Sequence, residues 1–480
     1  MTYKPFIKLF RTPNSQYFYD VGKNEIVRIT SELFAYLQGL LDGVEVQLDQ
    51  ESQEMFDTLR NAGYLSDKHP SIIQHPYTNY LPLLLDRKIE KITLQLTQDC
   101  NFRCKYCIYS EEINTKQRSH SQKSMTWETA KKAIDFYRDH SIDSHIRNIG
   151  FYGGEPLLKF DLIKKIVEYA ERALTGKHST FSITTNGSLL TPEIISYLYR
   201  HNVYLLISLD GSKEINDKNR VFKDGSGTYD IVVKNIKRIK EQYPDYVKTI
   251  QVNMVVDTNN DLDSITTNEL ISFGIAPNNI FVNYIDNTDI DIPISSAFIE
   301  KMEYHTFCAL ISRFGYGSEG LVSHFGKSQI KTLENNIIAF SGTSGMNDIF
   351  APSGPCIPGK IRLFINTDEE LYPCERVNES PVMRIGTLDD GFDLENATNI
   401  LNIGELTEDS CKNCWAIRHC TLCAKVADDG NCLSGSKKAQ YCNSVINSTV
   451  QKLRSIILLK EIPEYYNHLI DKTKESKVKQ

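Results

Sequence analysis

The chain has 480 residues, of which 41% are hydrophobic and 24% charged, as in ordinary soluble globular proteins, and its length favours two or three domains. Its net charge is −7 and it has no basic block, which argues against a nucleic-acid-binding surface. The N-terminus lacks the apolar segment and cleavage site of a signal peptide, and no stretch approaches about 18 apolar residues, so we expect a cytoplasmic protein with no membrane partner.

Residues 1–85 are predicted to form a small domain. YFYDV (17–21) and EIVRI (25–29) alternate like two short strands, and two amphipathic segments that end near NAGYL (61–65) are typical of helices. This pattern resembles the winged-helix peptide-recognition domains attached to enzymes that modify ribosomally made peptides, and the resemblance implies a leader-peptide site. The alternative is a structural extension that only packs on the next domain.

Strands and helices alternate over residues 86–325. Six segments are predicted strands, and helices lie between them: ITLQLT, NIGFY, FSITT, VYLLISL, TIQVNMVV and IFVNYI. Six β/α units predict an α/β fold with a parallel sheet and outer helices. If the sheet curves into a partial (β/α)6 barrel, the carboxyl ends of its strands share one functional face.

Residues 326–480 are predicted to form a third, C-terminal unit. Residues 326–355 are rich in Gly, Ser and Asn and are typical of a linker. Residues 356–442 are irregular and hold eight of the chain's twelve cysteines. Residues 443–461 are predicted to be an amphipathic helix, and the polar tail 471–480 is expected to fray.

Three cysteines follow the first predicted strand of the central unit, in the spacing Cys100-x3-Cys104-x2-Cys107. A closed zinc site uses four ligands, whereas three thiolates can bind three irons of a 4Fe–4S cluster and leave the fourth iron for a small molecule. From the spacing alone, a degraded zinc site is the alternative.

The CxxxCxxC spacing, with an aromatic residue before the last cysteine, resembles the radical S-adenosylmethionine (SAM) enzymes. GGEP (153–156), TTNGS (184–188) and SLDG (208–211) end the next three strands, where that family places cofactor contacts. Arg220 matches an arginine that pairs with the cofactor carboxylate, a role that suits a bidentate guanidinium. The resemblance implies SAM bound to one 4Fe–4S cluster, and contacts to SAM by Tyr106, Gly153, Gly154, Glu155, Pro156, Asn186, Ser208 and Arg220. In that family the reduced cluster gives one electron to SAM, and a 5′-deoxyadenosyl radical takes hydrogen from the substrate.

The C-terminal cysteines resemble the SPASM extension of radical SAM enzymes, which carries two auxiliary 4Fe–4S clusters. The resemblance implies three clusters in all, with these auxiliary ligands: Cys356, Cys374, Cys411, Cys414, Cys420, Cys423, Cys432 and Cys442. Paired CxxC motifs also fit a zinc ribbon.

The chain departs from the SPASM pattern in two ways. It has Glu369 where the family usually has glycine, and two residues rather than three between Cys420 and Cys423. If Cys432 is not a ligand, one auxiliary iron is open to a substrate thiol. Cys308 lies on a predicted helix and is expected to be a packing residue.

Glu375 directly follows Cys374. In sulfatase-maturating relatives an aspartate at this place accepts a proton from the substrate, so the resemblance makes Glu375 a candidate catalytic residue. A surface carboxylate, or one paired with Arg376, is the alternative.

The combination of recognition domain, radical SAM unit and SPASM extension is similar to that of the sactipeptide and ranthipeptide maturases. It implies a precursor peptide with a leader as substrate, a cysteine thioether crosslink as product, and a flavodoxin- or ferredoxin-type reductant as partner. Carbon–carbon crosslinking uses the same architecture. An anaerobic sulfatase-maturating enzyme, which makes formylglycine, is a further alternative, although those relatives are generally shorter and lack the first 85 residues. The last alternative is a non-enzymatic scaffold that binds peptides.

Overall fold

The structure is a computed structural model, and it describes residues 3–109, 120–175, 178–258, 262, 268–285, 295–314, 322–339, 342–343 and 345–461. The tail that we expected to fray, 471–480, lies outside them. Among the described helices, none is long and apolar enough to cross a membrane. The strands are β1 (Ile7–Arg11), β2 (Gln16–Asp20), β3 (Glu25–Ile29), β4 (Ile72–Ile73), β5 (Lys91–Thr97), β6 (Arg147–Gly153), β7 (Ser179–Thr185), β8 (Val203–Ser208), β9 (Gln251–Val256), β10 (Ile280–Tyr284), β11 (Ile349–Phe350), β12 (Leu363–Ile365), β13 (Glu370–Tyr372), β14 (Gly386–Thr387) and β15 (Gly391–Phe392). The helices are α1 (Ser31–Asp42), α2 (Gln50–Asn61), α3 (Leu81–Arg87), α4 (Trp127–His140), α5 (Phe160–Ala173), α6 (Pro192–Arg200), α7 (Lys213–Asn219), α8 (Tyr229–Gln242), α9 (Pro244–Val247), α10 (Asn268–Ser272), α11 (Ser296–Arg313), α12 (His324–Ala339), α13 (Leu394–Leu401), α14 (Glu408–Lys412), α15 (Gly435–Gln440) and α16 (Cys442–Lys460).

The N-terminal region holds a three-stranded antiparallel sheet in the order β1-β2-β3, followed by α1 and α2. The sequence predicted β2 and β3 but missed β1. Alternate residues of β2 pack on opposite sides: Phe18 joins the apolar cluster with α1 and α2, while Tyr17 and Tyr19 join a cluster with α16. The central strand β2 is therefore covered on both faces and paired on both edges.

The central sheet has ten strands in the order β10-β9-β8-β7-β6-β5-β12-β13-β14-β15. The six strands β5 to β10 are all parallel, and each neighbours the next in sequence, as predicted. Side chains such as Ile92 and Leu94 pack into the helix-covered apolar core. The intervening residues of β5, Lys91, Thr93 and Gln95, are polar and face the other side of the sheet.

The C-terminal region completes this sheet, which the sequence did not predict. β12 pairs in parallel with β5, and β13 to β15 continue antiparallel from it. These strands have two or three residues each, too few for a periodic pattern to be recognised. The predicted linker at 326–355 was also wrong in part, because α12 extends to Ala339.

The predicted C-terminal helix is confirmed as α16, and it joins the C-terminal region to the N-terminal sheet. Glu461, at its end, accepts hydrogen bonds from the hydroxyls of Thr12 (2.8 Å) and Tyr17 (2.7 Å). Arg418 donates to the carbonyl oxygens of Val21 (2.6 Å) and Gly22 (3.1 Å). The N-terminal sheet is thus fixed directly to the cysteine-rich region.

Candidate functional site

The three-cysteine loop follows the carboxyl end of β5, as predicted. The thiols lie close enough to interact: Cys104 and Cys107 contribute to the raised pKa of Cys100, and Cys107 contributes to that of Cys104. Burial is the main cause and raises the pKa of both Cys100 and Cys104 to about 12. Burial thus disfavours the charged form of Cys100 and Cys104, and a bound cation would stabilise the thiolates that ligate metal.

The loop is held by backbone and side-chain contacts to two neighbouring segments. The Arg103 and Lys105 amides donate to the carbonyl oxygens of Val221 (2.7 Å) and Asn219 (3.0 Å). Asn101 Nδ2 donates to Ser188 Oγ at 2.9 Å. These contacts fix the spacing of the thiols, and no sequence motif pointed to them.

Gly153 and Gly154 end β6 against the start of the cysteine loop. Gly153 has φ +139°, and a Cβ there would lie 2.2 Å from the Thr97 carbonyl oxygen. A Cβ on Gly154 would lie 2.2 Å from the Asp99 carbonyl oxygen. The glycines are thus required where β6 packs on the loop, and Pro156 follows as the first residue of a short 3-10 helix.

Glu155 is fully buried and serves as an internal acceptor. Its carboxylate accepts from the Asn186 amide (2.7 Å), the Thr185 hydroxyl (2.7 Å) and the Leu157 amide (3.0 Å). Burial raises its pKa to about 7, although these donors oppose the shift. Glu155 therefore ties the GGEP turn to the TTNGS turn.

Asn186 and Ser208 lie at the carboxyl ends of β7 and β8, at the same end of the parallel strands as the cysteine loop. Asn186 Nδ2 is 2.8 Å from Asn101 Oδ1 and 3.8 Å from Cys100 Sγ. Ser208 is the last residue of β8 and pairs with Asn253 of β9. The structure thus brings Asn186 to the cysteine loop, and it leaves Ser208 at the strand end without a described contact to the thiols.

Arg220 lies between the cysteine loop and Asp210. Its Nη1 is 3.9 Å from Cys104 Sγ, and its guanidinium carbon is 5.4 Å from the Tyr106 ring centroid. The Tyr106 hydroxyl donates to Asp210 Oδ2. Asp210 was not among the predicted site residues, although it lies in the SLDG motif.

These residues fit a 4Fe–4S cluster with SAM. Three thiols on one loop leave one iron for another ligand, and guanidinium and amide donors approach two of the sulfurs. Cys100, Cys104 and Cys107 would hold the cluster. When bound, SAM would supply a radical for hydrogen abstraction from the substrate.

Seven of the eight C-terminal cysteines fall into two groups. In the first, Cys423 contributes to the raised pKa of Cys374, and Cys356 to that of Cys423, after burial as the main cause. The second group holds four cysteines: Cys411, Cys414, Cys420 and Cys442. Burial is the main cause of the raised pKa values of Cys414 and Cys420, and two or more other thiols of the group also raise each of them. Within the described residues, no three His, Cys, Asp or Glu side chains lie close enough to hold a single metal ion.

Cys432 lies elsewhere. It is exposed, and its thiol donates to Asp429 Oδ2 at 3.2 Å, which raises the pKa of the thiol. It lines a surface cavity of about 500 Å³ together with Asp393 and Glu405. The structure therefore does not bring this predicted ligand into the first group of thiols, which contains three cysteines: Cys356, Cys374 and Cys423.

Glu375 pairs with Arg362 at 2.7 Å, not with Arg376. Arg362 immediately precedes β12, whose residues pair with the first residues of β5. The cysteine loop follows the last residue of β5, so Arg362 and the loop lie at opposite ends of that strand. Because a strand rises about 3.3 Å per residue, Glu375 lies roughly 20 Å from the loop along the sheet. The structure does not bring Glu375 together with Cys100.

Glu379 is a carboxylate near the cysteine loop that the sequence did not single out. Its Oε1 accepts from Gln95 Nε2 at 2.7 Å, and its Oε2 accepts from Asn366 Nδ2 at 3.1 Å. Gln95 Nε2 is also 3.1 Å from the Tyr109 hydroxyl, and the Tyr109 amide donates to Cys107 Sγ at 3.5 Å. Glu379 thus connects the C-terminal region to the loop.

Two other expectations concern individual residues. Cys308 is buried on α11, as expected of a packing residue. Glu369, which stands where the SPASM resemblance predicts glycine, has φ +63° and so adopts the conformation that favours glycine. Its carboxylate is held by the hydroxyl of Thr129 (2.9 Å) and the ammonium of Lys132 (2.6 Å).

Comparison with known protein families identifies the central unit. Residues 94–267 match the Radical SAM superfamily. The match begins in β5 and includes the cysteine loop, the GGEP turn and Arg220. It implies SAM and one 4Fe–4S cluster, and it does not test how many further clusters the chain holds.

Among the curated proteins that align with most of this chain, two show the range of activities. One is the radical SAM cyclopropyl synthase TigE of Paramaledivibacter caminithermalis, 25% identical over 345 residues, which cover 70% of this chain and 68% of that protein. The other is the cysteine-type anaerobic sulfatase-maturating enzyme of Clostridium novyi, 22% identical over 386 residues, which cover 78% of this chain and 97% of that protein. The homologues are enzymes.

The fold is similar to that of a solved structure, native anSMEcpe with bound AdoMet. The TM-score is 0.54 at 18% sequence identity, and the match covers 76% of this chain and 99% of that chain. At this identity the similarity shows the fold alone, an α/β fold with a mostly parallel sheet.

Proposed function

Since residues 94–267 make this chain an enzyme of the radical SAM superfamily, we propose that it is a maturase that forms cysteine thioether crosslinks in a ribosomally synthesised peptide. The observation that carries the proposal is that Cys432 contacts Asp429 instead, which leaves three thiols for the other site: Cys356, Cys374 and Cys423. The Cys356 segment packs on the Cys423 segment, since a Cβ on Gly354 would lie 2.3 Å from the Leu422 carbonyl oxygen. A 4Fe–4S cluster held by three thiolates has one iron for an outside ligand. A substrate cysteine at that iron would be held as the thiolate needed for a carbon–sulfur bond.

The residues around the cysteine loop would position SAM. We assign its carboxylate to the Arg220 guanidinium, which is 92% buried by side-chain area and already lies beside Cys104. The chain turns that end β6 and β7 carry Gly153 and Asn186, and Glu155 locks these turns to each other. Because Asp210 and Tyr106 fill the space behind Arg220, water is kept from the guanidinium.

The N-terminal sheet supports a peptide substrate with a leader. Within the part of the chain that the structure describes, β3 is an edge strand paired only with β2, so one row of its backbone groups could add an extended peptide. β2 is the central strand, paired on both edges, and is excluded from this role. The proposed electron donor is a flavodoxin- or ferredoxin-type protein.

Sulfatase maturation is the second candidate. It is favoured by the alignment to the Clostridium novyi enzyme, which covers 97% of that protein. The same alignment covers 78% of this chain, so the chain has a substantial part beyond it. Carbon–carbon bond formation is the third candidate, and the similarity to a cyclopropyl synthase supports it.

One experiment separates these products. The reduced enzyme is incubated with SAM and a cysteine-containing precursor peptide encoded beside its gene, and the product is alkylated and fragmented in a mass spectrometer. A thioether lowers the mass by about 2 Da per link and makes one cysteine inert to alkylation. A carbon–carbon link gives the same mass loss with every cysteine alkylated, and formylglycine gives a carbonyl that hydrazines trap. Full alkylation after turnover would overturn the thioether proposal.

A further inference from the structure

Lys438 is buried beside the second group of C-terminal thiols. It lies on α15 and is 1% exposed. Lysines are almost never fully buried without a partner, because an ammonium group loses its hydration when it leaves water. Such a residue therefore points to a nearby negative charge.

Among the residues that the structure describes, no carboxylate contacts Lys438. Its Nζ donates to the Thr407 hydroxyl and lies 3.6 Å from Cys411 Sγ. Thr407 Oγ1 is itself 3.3 Å from the same sulfur. No ion pair among the described residues includes Lys438, so the sulfur is the partner that can bear the compensating charge.

The position of Lys438 also relates it to a second cysteine of the group. Cys442 Sγ is 4.0 Å from the Lys438 carbonyl oxygen, since α15 leads directly into α16. The backbone of Lys438 thus approaches one sulfur of the group while its ammonium approaches another. This arrangement places a buried positive charge at the edge of the four-thiol group.

We propose that Lys438 is a positioning residue that raises the reduction potential of an iron–sulfur cluster held by Cys411, Cys414, Cys420 and Cys442. This inference rests on the proposed auxiliary clusters. Four thiolates give a 4Fe–4S cluster a net negative charge, and one added electron makes that charge larger. A buried ammonium and its N–H···S contact stabilise the reduced form more than the oxidised form, because few water molecules screen the charge there.

The test compares variants of the full-length, anaerobically reconstituted protein. Lys438→Met and Lys438→Gln remove the charge, and Lys438→Arg keeps it. Lys437→Met is the matched control, because it removes the adjacent ammonium, which donates to the Asp428 carbonyl oxygen at 2.6 Å. Iron and zinc are counted in each protein, and the potentials are measured by redox titration followed by electron paramagnetic resonance. The titration is repeated without Cys100, Cys104 and Cys107 to remove the overlapping signal of the SAM-binding cluster.

We expect unchanged iron content in all variants. The reduction potential of one cluster should be more negative in Lys438→Met and Lys438→Gln, and it should stay near the unmodified value in Lys438→Arg and Lys437→Met. Equal potentials in all proteins would overturn the inference while leaving the auxiliary clusters in place. Loss of iron from both neutral variants would also overturn it, since a charge that sets a potential does not hold the iron. Zinc at these cysteines in the unmodified protein would refute the auxiliary cluster itself, and the inference with it.

Discussion

Arg220 Nε lies 3.1 Å from Asp210 Oδ2, and the two side chains are 8% and 1% exposed. Burial, the largest single effect, lowers the pKa of Arg220, but the Asp210 carboxylate, Tyr106 and Cys104 together raise it above its ordinary value. The Val255 amide donates to the other Asp210 oxygen at 2.9 Å, so the carboxylate is fixed to β9. This buried pair orients the Arg220 guanidinium, which approaches the Cys104 sulfur.

Asp210→Asn should therefore remove both the counter-charge and the orientation of Arg220. Loss of one partner from a buried pair lowers the free energy of unfolding by about 3–5 kcal/mol, so we expect a lower thermal midpoint. We also expect the variant to lose the SAM cleavage that is measured in the absence of peptide. Asp245→Asn is the control, because Asp245 pairs with Lys248 on the surface. An Asp210→Asn protein that cleaves SAM at the unmodified rate would refute the positioning role of Asp210.

Replacement of Cys100, Cys104 and Cys107 by alanine tests the main site. The three proposed clusters hold about twelve irons, and this variant should lose about four of them together with all SAM cleavage. Cys308→Ala, which alters a buried cysteine of α11, should keep the full iron content. SAM cleavage by the triple variant would contradict the site assignment.

The sequence predicted the central unit well because its elements are long and carry local signals. Thr191 caps α6, with its side chain accepting from the Ile194 amide, and Pro192 takes the first helical position. Thr126 caps α4 in the same way. Such signals need only a few neighbouring residues, so they can be recognised without the tertiary structure.

The contacts between distant segments could not be predicted in this way. Asp210, Glu379 and Lys438 matter because of residues that are 10 to 284 positions away, and no spacing along the chain indicates them. The separation of Cys432 from the other cysteines could not be predicted from the sequence either, since the count of eight cysteines suggested two complete four-cysteine sites. Only the folded positions divide them.

Glu369 offers a test of backbone strain. Glu369→Ala and Glu369→Gly both lose the contacts to Thr129 and Lys132, but only glycine adopts φ +63° without cost. We expect the glycine variant to be the more stable of the two by about 1 kcal/mol, seen as a higher thermal midpoint. Equal midpoints would mean that the left-handed conformation is not retained in the alanine variant.

Glu379 and Glu375 can be compared directly. Glu379 reaches the cysteine loop through Gln95 and Tyr109, whereas Glu375 is paired with Arg362 at the opposite end of β5. We therefore expect Glu379→Gln to slow peptide product formation more than Glu375→Gln does, with SAM cleavage measured alongside to detect uncoupling.

The opposite order in that comparison would favour Glu375 as the proton acceptor that the sulfatase-type resemblance implies. Asp368→Asn serves as the control for the loss of one carboxylate, because Asp368 forms an exposed pair with Lys123. We expect its product formation to match that of the unmodified enzyme.

The leader site can be tested without truncation. Removal of residues 1–85 would expose the apolar cluster that Phe10 and Tyr19 form with Leu453 of α16, so a truncated chain would report on folding as well as on binding. Amide hydrogen exchange on the full-length protein avoids this problem. An added peptide strand uses the free backbone groups of β3, so precursor peptide should slow exchange at residues 25–29 and leave β1 unchanged. A precursor without its leader should give no protection. Protection confined to β1, or none in the N-terminal sheet at saturating precursor, would rule out leader binding at the β3 edge.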